Sequence, residues 1–578
     1  MTTFAPKKQE IKQKRLKKMK TNKILWLSAL AVLTSCSGKL GQLSSDYFQV
    51  NPNPLTAEGG QVAATINGMF PEKYMQKKAV VTVTPELRYM KDGQQQVKKG
   101  QPTSFQGEKV TGNDQTVSYL LGGRYTMRAV FPYEPAMLKS DLYLTFKAML
   151  GKKAVDVPAV KVAEGVIATS ELYHKTLTTA EPSVAKDAFQ RVVEQKQEAN
   201  IKFLIQQAEL RKSELKNNSV QEFVSLLKRI SAERESLNLN SVQVSAYASP
   251  DGGLTLNEKL ANQRQQNTEQ YVKQQMKAAA VDGQVETEYT AQDWEGFQQL
   301  VRASDIQDKD VILRVLSMYT DPQEREQQIK NMSHGFGELA DNILPELRRA
   351  RLTINYETIG RDDNQLFAQL KSDPTKLSVE ELLYTASMAE TTAQRESILK
   401  TTADLYKQDE RAYNNLAAIA YSKGLYDEAK RYLQTARSIK ADSPEVNANL
   451  GLLALLDNDV QAAENYLGKA PNASNLAEAL GNLRLAQGNY AQAEKDFGDV
   501  KSSSAALAQI LNKNYSKAAQ TLAAVKNADG MADYLQAVVN ARQGNTDAAA
   551  NFLRSAFAKD GSLKQYADND LELQNIRK

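Results

Sequence analysis

Three rhythms of apolar and polar positions divide the chain. From about residue 44 to 175 the apolar positions recur every second residue. Val81, Val83, Leu87 and Tyr89 fall on one face, and Thr82, Thr84, Glu86 and Arg88 on the other. Tyr125, Met127, Ala129 and Phe131 oppose Arg124, Thr126 and Arg128 in the same way. Leu142, Leu144, Phe146 and Ala148 oppose Tyr143, Thr145 and Lys147. Period-two alternation buries one face of a strand. Turn-forming clusters separate the runs: Asn51-Pro52-Asn53-Pro54, Asp92-Gly93, Thr111-Gly112-Asn113-Asp114, Gly122-Gly123 and Gly151. About seven strands at this spacing predict an antiparallel β-sandwich. Pro85, unable to donate to a ladder, predicts an edge strand.

From about 185 to 360 the rhythm is mixed. Residues 185–200 are charged and predict a helix; Ile201, Phe203 and Ile205 then alternate as a strand. A helix is predicted from Ser219 to Ile230, with Ser219 and Glu222 as a capping box and Val220, Phe223, Leu227 and Ile230 as its apolar stripe. Val242, Val244 and Ala246 predict a second strand, a long polar helix runs from about Asn257 to Lys277, and Leu352, Ile354 and Tyr356 predict a closing strand. Parallel pairing is available through each crossover. From about 375 to 578 a repeat appears. Leu416-Ala417, Gly424, Ala429, Leu433 and Ala436 are echoed 34 residues on by Leu450-Gly451, Ala463, Leu467 and Ala470, and more loosely by three later units. Residues 378–408 predict an extra leading pair of helices, and Ser502-Ser503-Ser504 a turn between repeats.

Composition changes this picture in one place. The formal charge of the 578-residue chain is +5, but residues 1–35 hold nine Lys/Arg against Glu10 alone. Removing that +8 leaves the rest at −3, so the basic balance is no argument for nucleic acid. The single cysteine, Cys36, excludes an intramolecular disulfide. With only His174 and His334 besides, no His/Cys zinc spacing exists.

The apolar run 24–33 follows Lys20 and Lys23 and is too short to span a bilayer. It ends in Leu33-Thr34-Ser35-Cys36, which resembles a bacterial lipobox. That resemblance implies cleavage of residues 1–35 (with Met19 as the conventional start), acylation of Cys36 by palmitate-class chains, a linker over 36–43, and lasting attachment to a membrane. Ser37 resembles signals for the outer membrane. No acid stands between Cys36 and Asp46, which favours the periplasmic face.

Ala246-Tyr247-Ala248-Ser249-Pro250-Asp251-Gly252, followed by Asn257-x-x-Leu260-x-x-x-Arg264 and Tyr271, resembles the OmpA-like domain of peptidoglycan-associated outer-membrane proteins. Arg348-Arg349-Ala350 resembles the family's closing Arg-Arg-Val. The likeness is nearest to divergent Bacteroidota lipoproteins whose loop reads Ala-Ser-Pro-acid-Gly. It spans about 170 residues with an insertion near 280–345. It implies a clamp on the diaminopimelate end of a peptidoglycan stem, with Arg264 pairing a carboxylate and Asn257 matching the family asparagine. The family's loop aspartate is Ser249 here; Asp251, two residues later, supplies the carboxylate only if the loop is remodelled, and Arg348 of the closing motif joins Asp251, Asn257 and Arg264 as a candidate peptidoglycan-binding residue. The other reading of the same residues is that Arg264 caps or ion-pairs within the domain and the loop simply turns. Trp294, in the insertion, is either a partner anchor or a core residue.

The C-terminal units resemble tetratricopeptide repeats, which implies a concave groove for a peptide or partner protein. Asn414, Asn415, Asn447 and Asn449 are candidate groove amides; solvated helix faces are the alternative. No metal spacing, Gly-rich phosphate loop or nucleophile elbow is present. The expected fold is therefore multidomain: an all-β sandwich (44–175), an α/β OmpA-like domain (185–360) and an all-α tetratricopeptide solenoid (375–578). The expected function is non-enzymatic and needs no cofactor: a lipoprotein tethering the outer membrane to peptidoglycan and recruiting a protein, or an adaptor of an envelope complex that binds no peptidoglycan.

Overall fold

The computed structural model describes residues 40–306, 309–331 and 335–576. The expected leader, Met19, Cys36 and His334 lie outside the described residues. The described chain forms two compact units. One takes residues 40–172 together with 527–576; the other is Tyr173–Lys526. Sequence periodicity draws the boundaries elsewhere, with 375–578 as one solenoid and 185–360 as a separate module. Periodicity reports which helices pair, but not which surface covers the last pair.

In the first unit ten strands form two sheets around one core. They are β1 (Phe48–Glu58), β2 (Gln61–Phe70), β3 (Ala79–Lys91), β4 (Gln94–Lys99), β5 (Thr103–Gly107), β6 (Gln115–Val117), β7 (Gly123–Pro132), β8 (Ser140–Leu150), β9 (Lys153–Glu164) and β10 (Val166–Ile167). One sheet runs β10-β1-β2-β7 and the other β6-β5-β3-β8-β9, with β4 also on β3. Pairing is antiparallel except β1–β10 and β5–β6. Phe70, Phe105 and Tyr125, from three strands, meet at ring-centroid distances of 4.4–5.3 Å in the core.

Two expectations are corrected here. Pro85 is not on an edge strand: β3 is paired along one side by β8 and along the other by β5 and then β4. Pro85 sits where β5 pairing has ended and β4 pairing has not begun, so its missing N–H interrupts no ladder. Asn51-Pro52-Asn53-Pro54 is not a turn. It is an irregularity inside β1, where the register with β2 shifts between Asn51 and Thr56. Helices Gly530–Arg542 and Thr546–Lys559 belong to this unit. The Tyr534 hydroxyl donates to Asp570 at 2.5 Å, Thr169 to Glu572 at 2.8 Å, and Arg542 pairs with Glu572.

The second unit begins with a four-stranded sheet in the order β11-β14-β12-β13: β11 (Val192–Lys202), β12 (Leu237–Tyr247), β13 (Val285–Thr290) and β14 (Arg349–Ile359). Only β12 and β13 run parallel as neighbours; β14 is antiparallel to both β11 and β12 and lies between them. The closing strand takes the centre because Ala350, Leu352 and Ile354 are fully buried. Helices Asn218–Ala232 and Leu254–Ala278 pack on the sheet. The predicted stripe of the first is buried, but its cap is Asn217, which accepts from the Val220 amide, and no Ser219/Glu222 box forms. The predicted helix over 185–200 does not form. Val192–Lys202 pairs residue for residue with β14, because a charged sequence without a 3.6-residue stripe gains more from the ladder.

The insertion is a small helical body around Phe297, Val301, Ile312, Leu316 and Leu347. Trp294 packs half-buried against it, so its ring is part of that packing. Beyond Asp363–Ser372 come five successive helix pairs. They are Val379–Ser387 with Thr392–Leu405, Glu410–Ser422 with Tyr426–Ile439, Pro444–Leu456 with Val460–Leu467, Leu476–Ala486 with Tyr490–Phe497, and Ser503–Leu511 with Tyr515–Ala523. Ser502 is the N-cap of the last pair's first helix, which corrects the predicted serine turn. The pairs close tightly where glycine meets a large residue: a Cβ on Gly451 would lie 2.7 Å from Leu467, and one on Gly481 2.5 Å from Phe497. Gly481→Ala is therefore expected to destabilise the second unit by about 1–3 kcal/mol through overpacking. The effect should appear as a lower urea midpoint with unchanged slope.

Candidate functional site

The inner helices of the solenoid carry a row of buried amides and hydroxyls. A buried amide needs partners, and these find them on a strap of the same unit. From Ala180 to Gln190 the chain has neither helix nor strand. Asn449 reads both main-chain groups of Ser183: its Oδ1 accepts from the amide at 2.7 Å and its Nδ2 donates to the carbonyl at 2.7 Å. Asn415 does the same for Ala185, at 2.8 and 2.9 Å. Asn414 adds a bond to the Ser183 carbonyl at 3.1 Å and is itself bonded by Asn449. Ser474 takes the amide and carbonyl of Val184, both at 2.8 Å, and Asn475 donates to the Pro182 carbonyl at 3.1 Å. Farther along, Tyr421 donates to the Leu177 carbonyl at 2.7 Å, and Glu380, clamped by Arg411, accepts the Ala188 amide at 2.6 Å.

The strap's side chains follow from this geometry. Ala180, Pro182, Ser183 and Ala185 face the floor and are buried, so they must be small; Glu181, Val184 and Lys186 face out. A cleft of about 520 Å³ remains beside the strap, lined in part by Leu383, Leu399, Ala418 and Ile419. Deeper in the groove Glu478 is 3% exposed. Burial, opposed by the hydrogen bonds of Ser502 and Asn482 and aided by the nearby Glu181, raises its carboxyl to about 7. Three of the four candidate asparagines thus meet in the groove. Asn447 does not: it holds the Ala441 and Ser443 carbonyls of its own repeat.

The loop after β12 gathers the other candidates. The Asn257 amide donates to the Ser249 and Gly252 carbonyls at 2.8 and 2.9 Å and so shapes the loop. Arg348 pairs with Asp251 at 3.1 Å and donates to the Ser249 hydroxyl at 3.2 Å; Ser249 in turn donates to Asp251. Arg264 is 1% exposed. Its guanidinium donates to the carbonyls of Gln207, Tyr247 and Leu204 at 2.9, 2.8 and 3.3 Å, with the Phe203 ring 5.0 Å away. Burial, then Arg348, hold it down to about 10 against the pull of Asp251, so it remains a cation at neutral pH. The strand predicted through Ile205 stops at Lys202, and residues 203–208 bend to bring these carbonyls to Arg264. Sequence reasoning missed two partners. Arg349 pairs with Asp293 at 3.0 Å, and Asp293 caps the helix Trp294–Ala303. An aspartate three residues before Gly296 is a cap signal that was legible. The strap residues had no such signal.

No family model matches the chain, and no curated protein does. Solved structures do. A tetratricopeptide repeat protein from Parabacteroides merdae ATCC 43184 is 13% identical with a TM-score of 0.28, covering 42% of this chain and 98% of its own. PilF of Pseudomonas aeruginosa is 17% identical with a TM-score of 0.25, covering 37% and 94%. The APC/C hetero-tetramer Cut9-Hcn1 is 15% identical with a TM-score of 0.30, covering 56% and 78%.

Two outcomes are expected of the groove. Replacing Asn415 and Asn449 by alanine leaves buried strap amides unpaired, at about 1–3 kcal/mol each, and should speed hydrogen exchange at Ser183 and Ala185. Glu478 binds its proton more tightly folded than unfolded, so its contribution is full below about pH 4.5 and is lost as pH rises through about 7. The melting temperature of the second unit should fall across that window, and Glu478→Gln should flatten the fall.

Proposed function

We propose that this chain is a non-enzymatic scaffold lipoprotein of a bacterial envelope, acylated on Cys36, held at the periplasmic face of the outer membrane, and built to organise protein rather than wall. The observation that carries the scaffold reading is the solenoid's concave face, whose side-chain amides hold the extended main chain of the protein's own strap, with a cleft of about 520 Å³ left open beside it. The lipoprotein reading is supported by the short apolar run ending at the chain's only cysteine. Among the described residues no helix is long and apolar enough to cross a membrane, and no group of three His, Cys, Asp or Glu could hold a metal ion.

A second reading keeps the wall as ligand. It is favoured by the convergence of Ser249, Asp251, Asn257, Arg264 and Arg348 at one loop, as the OmpA-like resemblance implies. It ranks second because every resource of that clamp is spent: Arg264 serves three carbonyls, and the Asp251 carboxylate is neutralised by Arg348. A guanidinium stripped of three bonds to greet a ligand would leave buried carbonyls unpaired.

Sedimentation with purified peptidoglycan decides between them. The protein is expected to stay in the supernatant. Pelleting that disappears in Asp251→Ala and in Arg264→Ala would restore the wall tether. Labelled palmitate is expected to enter the wild-type protein and not Cys36→Ser; an unlabelled wild type removes the lipoprotein half of the proposal.

A further inference from the structure

One end of the sandwich is unlike the rest of the first unit. Strand register places five stretches of chain there: residues 40–47 before β1, 71–78 between β2 and β3, 108–114 between β5 and β6, 118–122 before β7, and the turn from β8 to β9. At its tip Leu120 and Leu121 are 63% and 82% exposed, and Leu121 is the most exposed large apolar side chain among the described residues. They are not on a loose loop. The Gly122 amide donates to the Ser118 carbonyl at 3.0 Å, and the Lys73 amide donates to the Tyr119 carbonyl at 2.6 Å. Gly122 has φ +70°, and a Cβ there would strike the Phe70 carbonyl at 2.3 Å. Two leucines held rigidly in water cost free energy unless something apolar receives them.

The surroundings name the receiver. Lys73, Lys77, Lys78, Lys109 and Lys152 are exposed on these same connections, as is Lys153 at the start of β9. The carboxylates among them are Asp46, Glu72, Glu108 and Asp114, and Glu108 is taken by Ser118 and Lys77. A basin of about 460 Å³ opens between Lys77, Lys78, Lys109 and Tyr119. An apolar tip at the lysine-rich end of the sandwich matches a bilayer surface with anionic headgroups. The chain's entry point agrees. Leu40 and Leu43 are buried in the sandwich core, and the Tyr74 hydroxyl donates to the Gly41 carbonyl at 2.8 Å, at this end. Cys36 is four residues upstream of Leu40, a reach of at most about 14 Å.

We propose that Leu120 and Leu121, with the surrounding lysines, form a second membrane contact, inserting into an anionic phospholipid surface beside the lipid anchor. The tip's place beside an anchored membrane depends on the acylation of Cys36; its own chemistry does not.

The test uses the chain from residue 36 onward carrying Cys36→Ser, so that no acyl chain contributes. Flotation is measured with vesicles of phosphatidylcholine alone and with one quarter phosphatidylglycerol. The protein is expected to float with the anionic vesicles. Leu120→Asp with Leu121→Asp should cut its partition coefficient at least about tenfold. Lys77→Glu with Lys78→Glu should abolish the preference for phosphatidylglycerol. These exposed positions should leave the melting temperature unchanged, which confirms that the variants are folded. A parent that floats with neither vesicle, or that floats equally well without its leucines, overturns the proposal, as does a tip that binds a protein and ignores lipid. Flotation without palmitate labelling of the natural protein removes the anchor and keeps the tip; labelling without flotation does the reverse.

Discussion

A buried main-chain amide or carbonyl must be paired, and in the second unit that demand decides the most. The strap from Leu177 to Ala188 has no helix or strand of its own along most of its length, yet Ser183 and Ala185 are almost wholly buried. Its bonds are supplied instead by Asn414, Asn415, Asn449, Ser474 and Asn475, from three successive repeats. The same bonds satisfy the asparagines, which could not otherwise sit on the inner face of a packed solenoid. Neither partner is stable there without the other.

The same constraint shapes the loop after β12. Arg264 is a cation with almost no contact with water, and three carbonyls from two segments close on it. Asp251 lies close enough to matter, but Arg348 pairs it first. Both places where a ligand is most easily imagined are therefore occupied by the protein itself. Outside contacts are left to surfaces that remain open, such as the cleft beside the strap and the leucine tip of the sandwich.

Much of the architecture was legible. Alternation along Val81–Tyr89, Tyr125–Phe131 and Leu142–Ala148 marked strands whose apolar faces are buried as expected, and the stripe Val220, Phe223, Leu227, Ile230 marked a helix. The recurrence of Ala429, Leu433 and Ala436 at Ala463, Leu467 and Ala470 marked the repeats, because helices crossing this closely need small residues at those steps. Prolines misled. Pro85 lies in a central strand, at a gap in its neighbour, and Pro52 and Pro54 lie within β1 rather than at a turn. A proline reports that one donor is missing, and several geometries tolerate that.

The sequence by itself determined periodicity, and with it the β-rich start, the mixed middle and the helical repeats, because a side chain's burial in a strand or helix follows from its spacing to its own neighbours. Only the tertiary structure decided what fills the groove, what Arg264 holds, that β14 takes the centre of its sheet, and that residues 527–576 compact with the sandwich. Each of these pairs residues far apart in the chain, and main-chain groups, alike in every residue, carry no mark of the partner they will meet.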